Sequence, residues 1–191
     1  MPNCQEERLL LLNKTSLCNL YKLEENFPQY LCAGTSAMRS SLESGVLYGR
    51  PFGGVCILVS KKLLHCTEII CCSDRFVVVG VSRSLFISVY LPCVGSIDRM
   101  CVIEEILCEL EDYISKYSDR LIIIGGDFNT DLDRVNPASD LINRFTATNG
   151  LHRCDKLSTS RGVWRGDARC TYYDDSRGVQ STLDFYRATL C

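Results

Sequence analysis

Leu121-Ile122-Ile123-Ile124-Gly125-Gly126-Asp127-Phe128-Asn129 decides how the rest of the chain is read, because an apolar run stops at two glycines and delivers a carboxylate and an amide. Four branched aliphatics in a row, too short for a helix and closed by glycine, predict a strand buried on both faces. The ends of such strands, rather than the strands themselves, carry chemistry. If the extended geometry continues, Asp127 and Asn129 share one face and Phe128 turns into the core. An acid beside an amide suits a magnesium ion and a phosphate oxygen, since the acid offers hard oxygen and the amide both accepts and donates. The same residues also fit a strand that leaves through an Asx turn.

Outward from that strand, the apolar period changes twice. Ile97, Met100, Cys101, Ile103, Ile106, Leu107, Leu110, Tyr113, Ile114 and Tyr117 recur at three and four, with Glu104, Glu105, Glu109, Glu111 and Lys116 opposite. This predicts a long amphipathic helix over 97–117 that feeds the strand. A second helix over 140–148 uses Leu141, Ile142 and Phe145, and Gly150 ends it. Earlier, residues 54–59, 65–71, 76–81 and 85–91 are short apolar or alternating runs separated by polar turns, as in an antiparallel meander. A helix over 15–25 precedes Pro28, and Tyr30 to Ala33 read as extended. The tail returns to strands near 170–173 and 181–186. Sheets with helices outside them, in mixed order, predict an α/β or α+β layered sandwich.

A chain of 191 residues with 46% hydrophobic content can bury a substantial core, so residues 1–191 are expected to form a single domain. The thirteen cysteines are odd in number and contain no C-x-x-C pair, which argues against a zinc or disulfide framework. Cys56, Cys66, Cys71, Cys72, Cys101 and Cys108 sit in apolar runs and read as small core hydrophobes. No basic segment followed by an apolar stretch opens the chain, and no run approaches a membrane span. An intracellular location, nuclear or cytoplasmic, and reduced thiols are expected. The formal net charge of −2 argues against a generally basic coat while allowing a local basic rim around an acidic metal site.

Gly126-Asp127-Phe128-Asn129 resembles the G-D-F-N signature of the endonuclease/exonuclease/phosphatase superfamily, and four further segments agree with it in chain order. Cys4-Gln5-Glu6 resembles the "QE" motif, Ser88-Val89-Tyr90-Leu91-Pro92 the strand "VY-x-P", Cys170-Thr171-Tyr172 the "TY" strand, and Ser181-Thr182-Leu183-Asp184 the "S-x-I-D" motif. Together they span nearly the whole chain. Gly49-Arg50-Pro51-Phe52-Gly53-Gly54-Val55 and Val89-Tyr90-Leu91-Pro92-Cys93 look most like the endonuclease domains of LINE-type (non-LTR) retrotransposons. The resemblance implies a four-layer α/β/β/α sandwich, two mixed sheets face to face with helices outside, and a metal-dependent phosphodiesterase site at the sheet ends.

Residue roles follow from that resemblance by position. Glu6 would be the main ligand for Mg2+ or Mn2+, Asp127 would activate or position the attacking water, and Asn129 would hold the scissile phosphate. Tyr90 would donate a hydrogen bond to that phosphate. Thr171 would contact DNA or phosphate, Ser181 would support the strand carrying Asp184, and Asp184 would orient an imidazole. Read alone, Gln5-Glu6 fits a solvated terminus, Tyr90 a strand aromatic, and Thr171 and Ser181 ordinary strand and turn positions. Asp184, between Leu183 and Phe185, is costly in an apolar strand unless paired. Trp164 and Arg165, with Arg161, Arg169 and Arg177 nearby, could lie along DNA phosphates with the indole stacking; the interspersed Asp167, Asp174 and Asp175 also fit a solvated loop.

The chain departs from the family pattern in two places. The expected histidine of an "S-D-H" motif does not follow Asp184, and the only histidines, His65 and His152, read as structural. An asparagine on a strand before "QE" is also missing, since Asn3 lacks the intervening strand and helix. A domain incomplete at its first and last strands is therefore expected, with exposed sheet edges. Loss of one preorganised phosphate donor costs on the order of 10²- to 10³-fold in rate. The function expected is a DNA endonuclease of retrotransposon type, a reverse-transcriptase-associated nickase impaired by truncation. The alternatives are a non-catalytic remnant with weak nucleic-acid or protein binding, and a phosphatase of the same superfamily. DNA is the expected partner, with no membrane, no small-molecule cofactor and a monomeric state.

Overall fold

Five consecutive buried residues, Val55 to Val59, organise the first half of the chain. Alternate side chains of a strand leave on opposite faces, and here both faces are covered. The computed structural model describes residues 9–13, 20–35, 54–153, 172–174, 179–181 and 184–189. Its contacts divide the chain into two units, Met1–Tyr90 and Leu91–Cys191.

In the first unit, β1 (Leu9–Asn13), β2 (Tyr30–Thr35) and β3 (Val55–Ser60) form an antiparallel sheet with β3 in the middle. Val55, Ile57 and Val59 point from β3 into a core shared with Ala33, Val77, Val79, Val81 and Tyr90. Cys56 and Leu58 point the other way, against Leu23 and Phe27 of the segment that contains α1 (Leu20–Asn26) and its exit turn. A 3₁₀ helix (Lys61–Cys66) then leads to β4 (Thr67–Cys72), β5 (Phe76–Val81) and β6 (Ser84–Tyr90), an antiparallel meander. The meander was expected to begin at 54–59, but β3 pairs with β1 and β2 instead. Two-sided burial explains this, since β3 lacks the polar alternation of a strand at the end of a meander. The strand expected over 65–71 starts at Thr67, because His65 and Cys66 close the 3₁₀ turn.

In the second unit, α2 (Arg99–Lys116) buries Ile103, Ile106, Leu107, Leu110 and Ile114. It is followed by β7 (Leu121–Asp127), α3 (Pro137–Thr148) and β8 (Leu151–Arg153), with β9 (Tyr172–Asp174), β10 (Val179–Ser181) and β11 (Asp184–Thr189) closing the chain. Strand β11 lies antiparallel between β7 and β8, while β9 and β10 pair as a hairpin. Ile122 and Ile124 are fully buried, whereas Leu121 and Ile123 are half-buried, so β7 is sealed on one face and only partly covered on the other at its start. Helix α3 begins with Asn136, whose side chain accepts from the Ala138 and Ser139 N–H groups, followed by Pro137 at its first position. Helices α2 and α3 contact each other, and Asn149 Nδ2 donates to Glu111 Oε1 across 3.3 Å.

Sheets with flanking helices make this an α/β fold, as the sequence predicts. Three details differ. The run Leu9–Asn13 forms a strand that was not expected, and residues 15–19 of the expected first helix lie outside the described residues. Cys72, Cys101 and Cys108 are exposed rather than in the core, because Cys101 and Cys108 share the outward stripe of α2 with Glu104, Glu105 and Glu109. Ile97, expected to open the apolar face of that helix, precedes it and is 88% exposed. Among the described residues no helix is long and apolar enough to cross a membrane.

Gly34 faces Cys56 across β2 and β3, and a Cβ at this position would sit 2.9 Å from the Cys56 Cα and against the Val55 carbonyl. These are backbone atoms of the central strand, which cannot rotate away. Gly34→Ala is expected to destabilise the protein by about 1–3 kcal/mol. A lowered urea midpoint with an unchanged slope would show it; an unchanged midpoint would mean that the strands separate at no cost.

Candidate active site

Asp127 is the last residue of β7 and is 2% exposed. The residue before it, Gly126, has φ 142°, a conformation that side-chain-bearing residues rarely adopt. Beyond Asp127 the chain does not stay extended: Asn129 has φ 48°, in the left-handed region that asparagine tolerates better than most residues. Its N–H donates to Asp127 Oδ1 across 3.0 Å. The Asx turn is thus present, and the expectation that Asp127 and Asn129 share one strand face is corrected by this reversal. Phe128 does enter the core, at 2% exposure.

The turn is fixed from outside as well. The Leu91 N–H donates to the Asp127 carbonyl at 3.0 Å, and Asn129 Nδ2 donates to the Leu91 carbonyl at 2.8 Å. Arg99, at the start of α2, adds three bonds: Nε to the Pro92 carbonyl at 3.0 Å, and Nη2 to the Asn129 carbonyl at 2.9 Å and to Thr130 Oγ1 at 2.7 Å. One planar guanidinium therefore joins the Leu91–Pro92 segment to the loop after β7. Burial pulls the Arg99 pKa down from the usual arginine range, and the three acceptors compensate the charge's partial desolvation. Further along, Asp131 Oδ1 accepts from the Asp133 N–H at 3.0 Å, a second turn of the same kind, and Arg153 holds Asp133 at 2.8 Å.

Strand pairing brings a distant motif to the same place. In the β7–β11 register, Asp184 is directly opposite Asp127, Phe185 opposite Gly126 and Tyr186 opposite Gly125. Two acids that lie 57 positions apart in sequence thus meet in register where β7 ends and β11 begins. Ser181 ends β10, paired with Tyr172 at the start of β9.

No family model and no curated protein sequence matches the chain. Solved structures do. The endonuclease domain of TRAS1, a telomere-specific non-LTR retrotransposon, aligns with a TM-score of 0.51 and 21% identity, over 75% of this chain and 64% of that one. The 3′ phosphatase NExo from Neisseria, solved with a product DNA hairpin, aligns with a TM-score of 0.60 and 14% identity, over 95% of this chain and 76% of that one. The human Nocturnin catalytic domain, with a bound sulfate anion, gives 0.60 and 12%, over 95% and 68%. This chain has the endonuclease/exonuclease/phosphatase fold. It spans just under two thirds of the TRAS1 domain.

Within the endonuclease/exonuclease/phosphatase fold, the expected site residues fall into three groups. Asp127 and Asn129 are joined by the turn, and Asp184 is brought opposite Asp127 by register. Tyr90 belongs to the first unit, where it is 6% exposed, packs in the core with Val77 and Val79, and has the Arg75 guanidinium 5.4 Å above its ring. Glu6, Trp164, Arg165 and Thr171 lie outside the described residues, as do Arg161, Arg169 and Arg177. His65 Nδ1 contacts the Lys62 carbonyl at 3.0 Å in the 3₁₀ turn, and His152 is exposed on β8. Among the described residues no cluster of three or more His, Cys, Asp or Glu could hold a metal ion. Arg99 and Thr130 were missed by the sequence reading. An arginine opening the helix just after Pro92 was the one available signal, and its acceptors are backbone groups that no residue pattern reveals.

Replacing Arg99 tests the clamp. Arg99→Lys keeps the charge but cannot reach three acceptors at once, and is expected to cost about 1–3 kcal/mol. Amide exchange measured by mass spectrometry should accelerate over residues 127–133 while β5 stays protected. Uniform acceleration through both units would instead assign Arg99 to global stability.

Proposed function

We propose that this chain is a divalent-metal-dependent DNA endonuclease that nicks one strand by hydrolysis. The observation that carries the reading is the register that sets Asp184 across from Asp127 at the end of β7, within the endonuclease/exonuclease/phosphatase fold. Carboxylates offer the hard oxygen that divalent cations take, so the acids of the family motifs suit Mg2+ or Mn2+. By its family motif Glu6 would hold the ion, which when bound would neutralise developing charge on phosphoryl oxygens.

The remaining work falls to the chain. The Asp127 carboxylate accepts a proton from the attacking water, whose oxygen bonds to phosphorus as the P–O3′ bond breaks; the departing oxygen takes up a proton and leaves a 3′-hydroxyl. Asn129, its amide oriented by the bond to the Leu91 carbonyl, directs its second N–H at the phosphate. Tyr90, Thr171, Ser181 and Asp184 take the family roles of donor, substrate contact, strand support and orienting acid. Trp164 and Arg165 lie along the DNA. DNA as substrate is supported by the likeness to a retrotransposon endonuclease domain and to an enzyme solved with a DNA product.

A second reading, a nucleic-acid-binding domain without turnover, is favoured by one observation. Asp127 Oδ1 accepts from the Asn129 N–H and Asn129 Nδ2 donates to the Leu91 carbonyl, bonds to backbone groups of the kind that a structural turn makes.

Nicking of supercoiled plasmid separates the two. With Mg2+ present, the protein should convert supercoiled to open-circular DNA, and chelation or Asp127→Ala should slow conversion by about 10²- to 10³-fold. Equal rates for Asp127→Ala and the parent would remove Asp127 from the site. Duplex binding by gel shift with no nicking in either metal would establish the second reading.

A further inference from the structure

Cys32 and Cys56 lie on neighbouring strands of the first unit. In the β2–β3 register Cys32 pairs with Leu58 and Gly34 with Cys56, so the two cysteines occupy diagonal positions on one face of the sheet. Gly34 allows this. Because it has no Cβ, the backbone of Cys56 approaches closely, and the two sulfur atoms stand 2.9 Å apart. Cys56 is fully buried and Cys32 half-buried, with Leu58 and the side chains of Leu23, Phe27 and Tyr30 around them.

The pair is chemically unequal. The hydrogen bond between the two sulfurs holds the Cys32 pKa below the ordinary thiol range; the same bond, together with burial, pushes Cys56 far up. A partly accessible sulfur with thiolate character, beside a buried sulfur that keeps its proton, divides the roles of attacking and resolving thiol. Burial of its sulfur pushes the Cys72 thiol up, with Cys71 and Cys32 adding to it, and as a residue Cys72 is exposed and lies on β4. A disulfide bond is about 2.0 Å long, so the two sulfurs, already 2.9 Å apart, have little distance left to close.

We propose that Cys32 and Cys56 form a redox-active dithiol that a small hydroperoxide converts to a cross-strand disulfide joining β2 to β3. Hydrogen peroxide suits the half-buried position of Cys32. The Cys32 thiolate attacks one peroxide oxygen, the O–O bond breaks, and the leaving hydroxide takes a proton to become water, giving Cys32 sulfenic acid. The Cys56 sulfur then attacks Cys32 Sγ; the S–O bond breaks and the hydroxyl leaves as a second water with the Cys56 proton. Two thiols are oxidised and one peroxide is reduced to two waters. The bridge ties the central strand to its neighbour beneath the segment that carries α1.

Peptide mapping tests this directly, because trypsin places the two cysteines on separate peptides, residues 23–39 and 40–61, each with no other cysteine. The intact reduced protein is treated with hydrogen peroxide, quenched, alkylated under denaturing conditions and digested. The expected result is a linked pair of these peptides, lighter than their sum by two hydrogens, that appears before oxidation of exposed Cys93, Cys101 and Cys108 and reverts with a thiol reductant. In Cys56→Ser, dimedone should instead label Cys32 on peptide 23–39. Both peptides remaining alkylated while the exposed thiols oxidise would overturn the proposal. So would a link from either one to the peptide carrying Cys72. The measurement on the unaltered protein stands whether or not the variant folds.

Discussion

Strand β11 meets β7 with Asp184 opposite Asp127, and the second unit depends on that register. A slip of one residue would move every side chain of β11 to the other face and set Leu183 or Phe185 across from the acid. Gly125 and Gly126 lie beside Tyr186 and Phe185 in the observed pairing. Glycine at 126 also accommodates a φ that would strain other residues, just before the acid. The same strand end thus combines a permissive backbone with two acids in register.

Loop chemistry finishes what the strands begin. Asp127 caps its own turn, Asn129 reverses the chain, and the Arg99 guanidinium holds the reversed segment against Pro92. Each hydrogen bond contributes only about 1 kcal/mol net, but a buried carbonyl or hydroxyl deprived of its partner costs more. The arrangement is therefore cooperative, and it limits where Asp127 and Asn129 can move. The second Asx turn at Asp131 and the Asn136 cap carry the order onward into α3, so the stretch from 127 to 139 is held largely by short-range polar contacts.

In the first unit the governing constraint is two-sided burial of β3. Its odd-numbered residues meet the valines of β5 and its even-numbered ones meet the α1 side, which leaves no room for a side chain at Gly34 and brings Cys32 and Cys56 together. The thiols that read as packing residues include one pair with the geometry for chemistry. Close packing and reactivity arise there from the same approach of backbones.

Much was legible in the residues themselves. The three-and-four spacing of Ile103, Ile106, Leu107, Leu110 and Ile114 gave α2, the alternating or unbroken runs of the meander gave β4 to β6, and the run before Gly125 gave β7, because burial writes its period directly into neighbouring residues. The ordered motifs around Asp127, Tyr90 and Asp184 pointed to the endonuclease/exonuclease/phosphatase fold. Tertiary structure alone decided that β3 leaves the meander, that Asn129 turns back rather than running on, that Asp184 lies across from Asp127, and that Arg99 joins two loops. Those outcomes depend on pairing between segments far apart in the chain and on acceptors that every residue carries alike. Local periodicity cannot encode a partner's register or the place of a backbone carbonyl, so only the folded chain could show them.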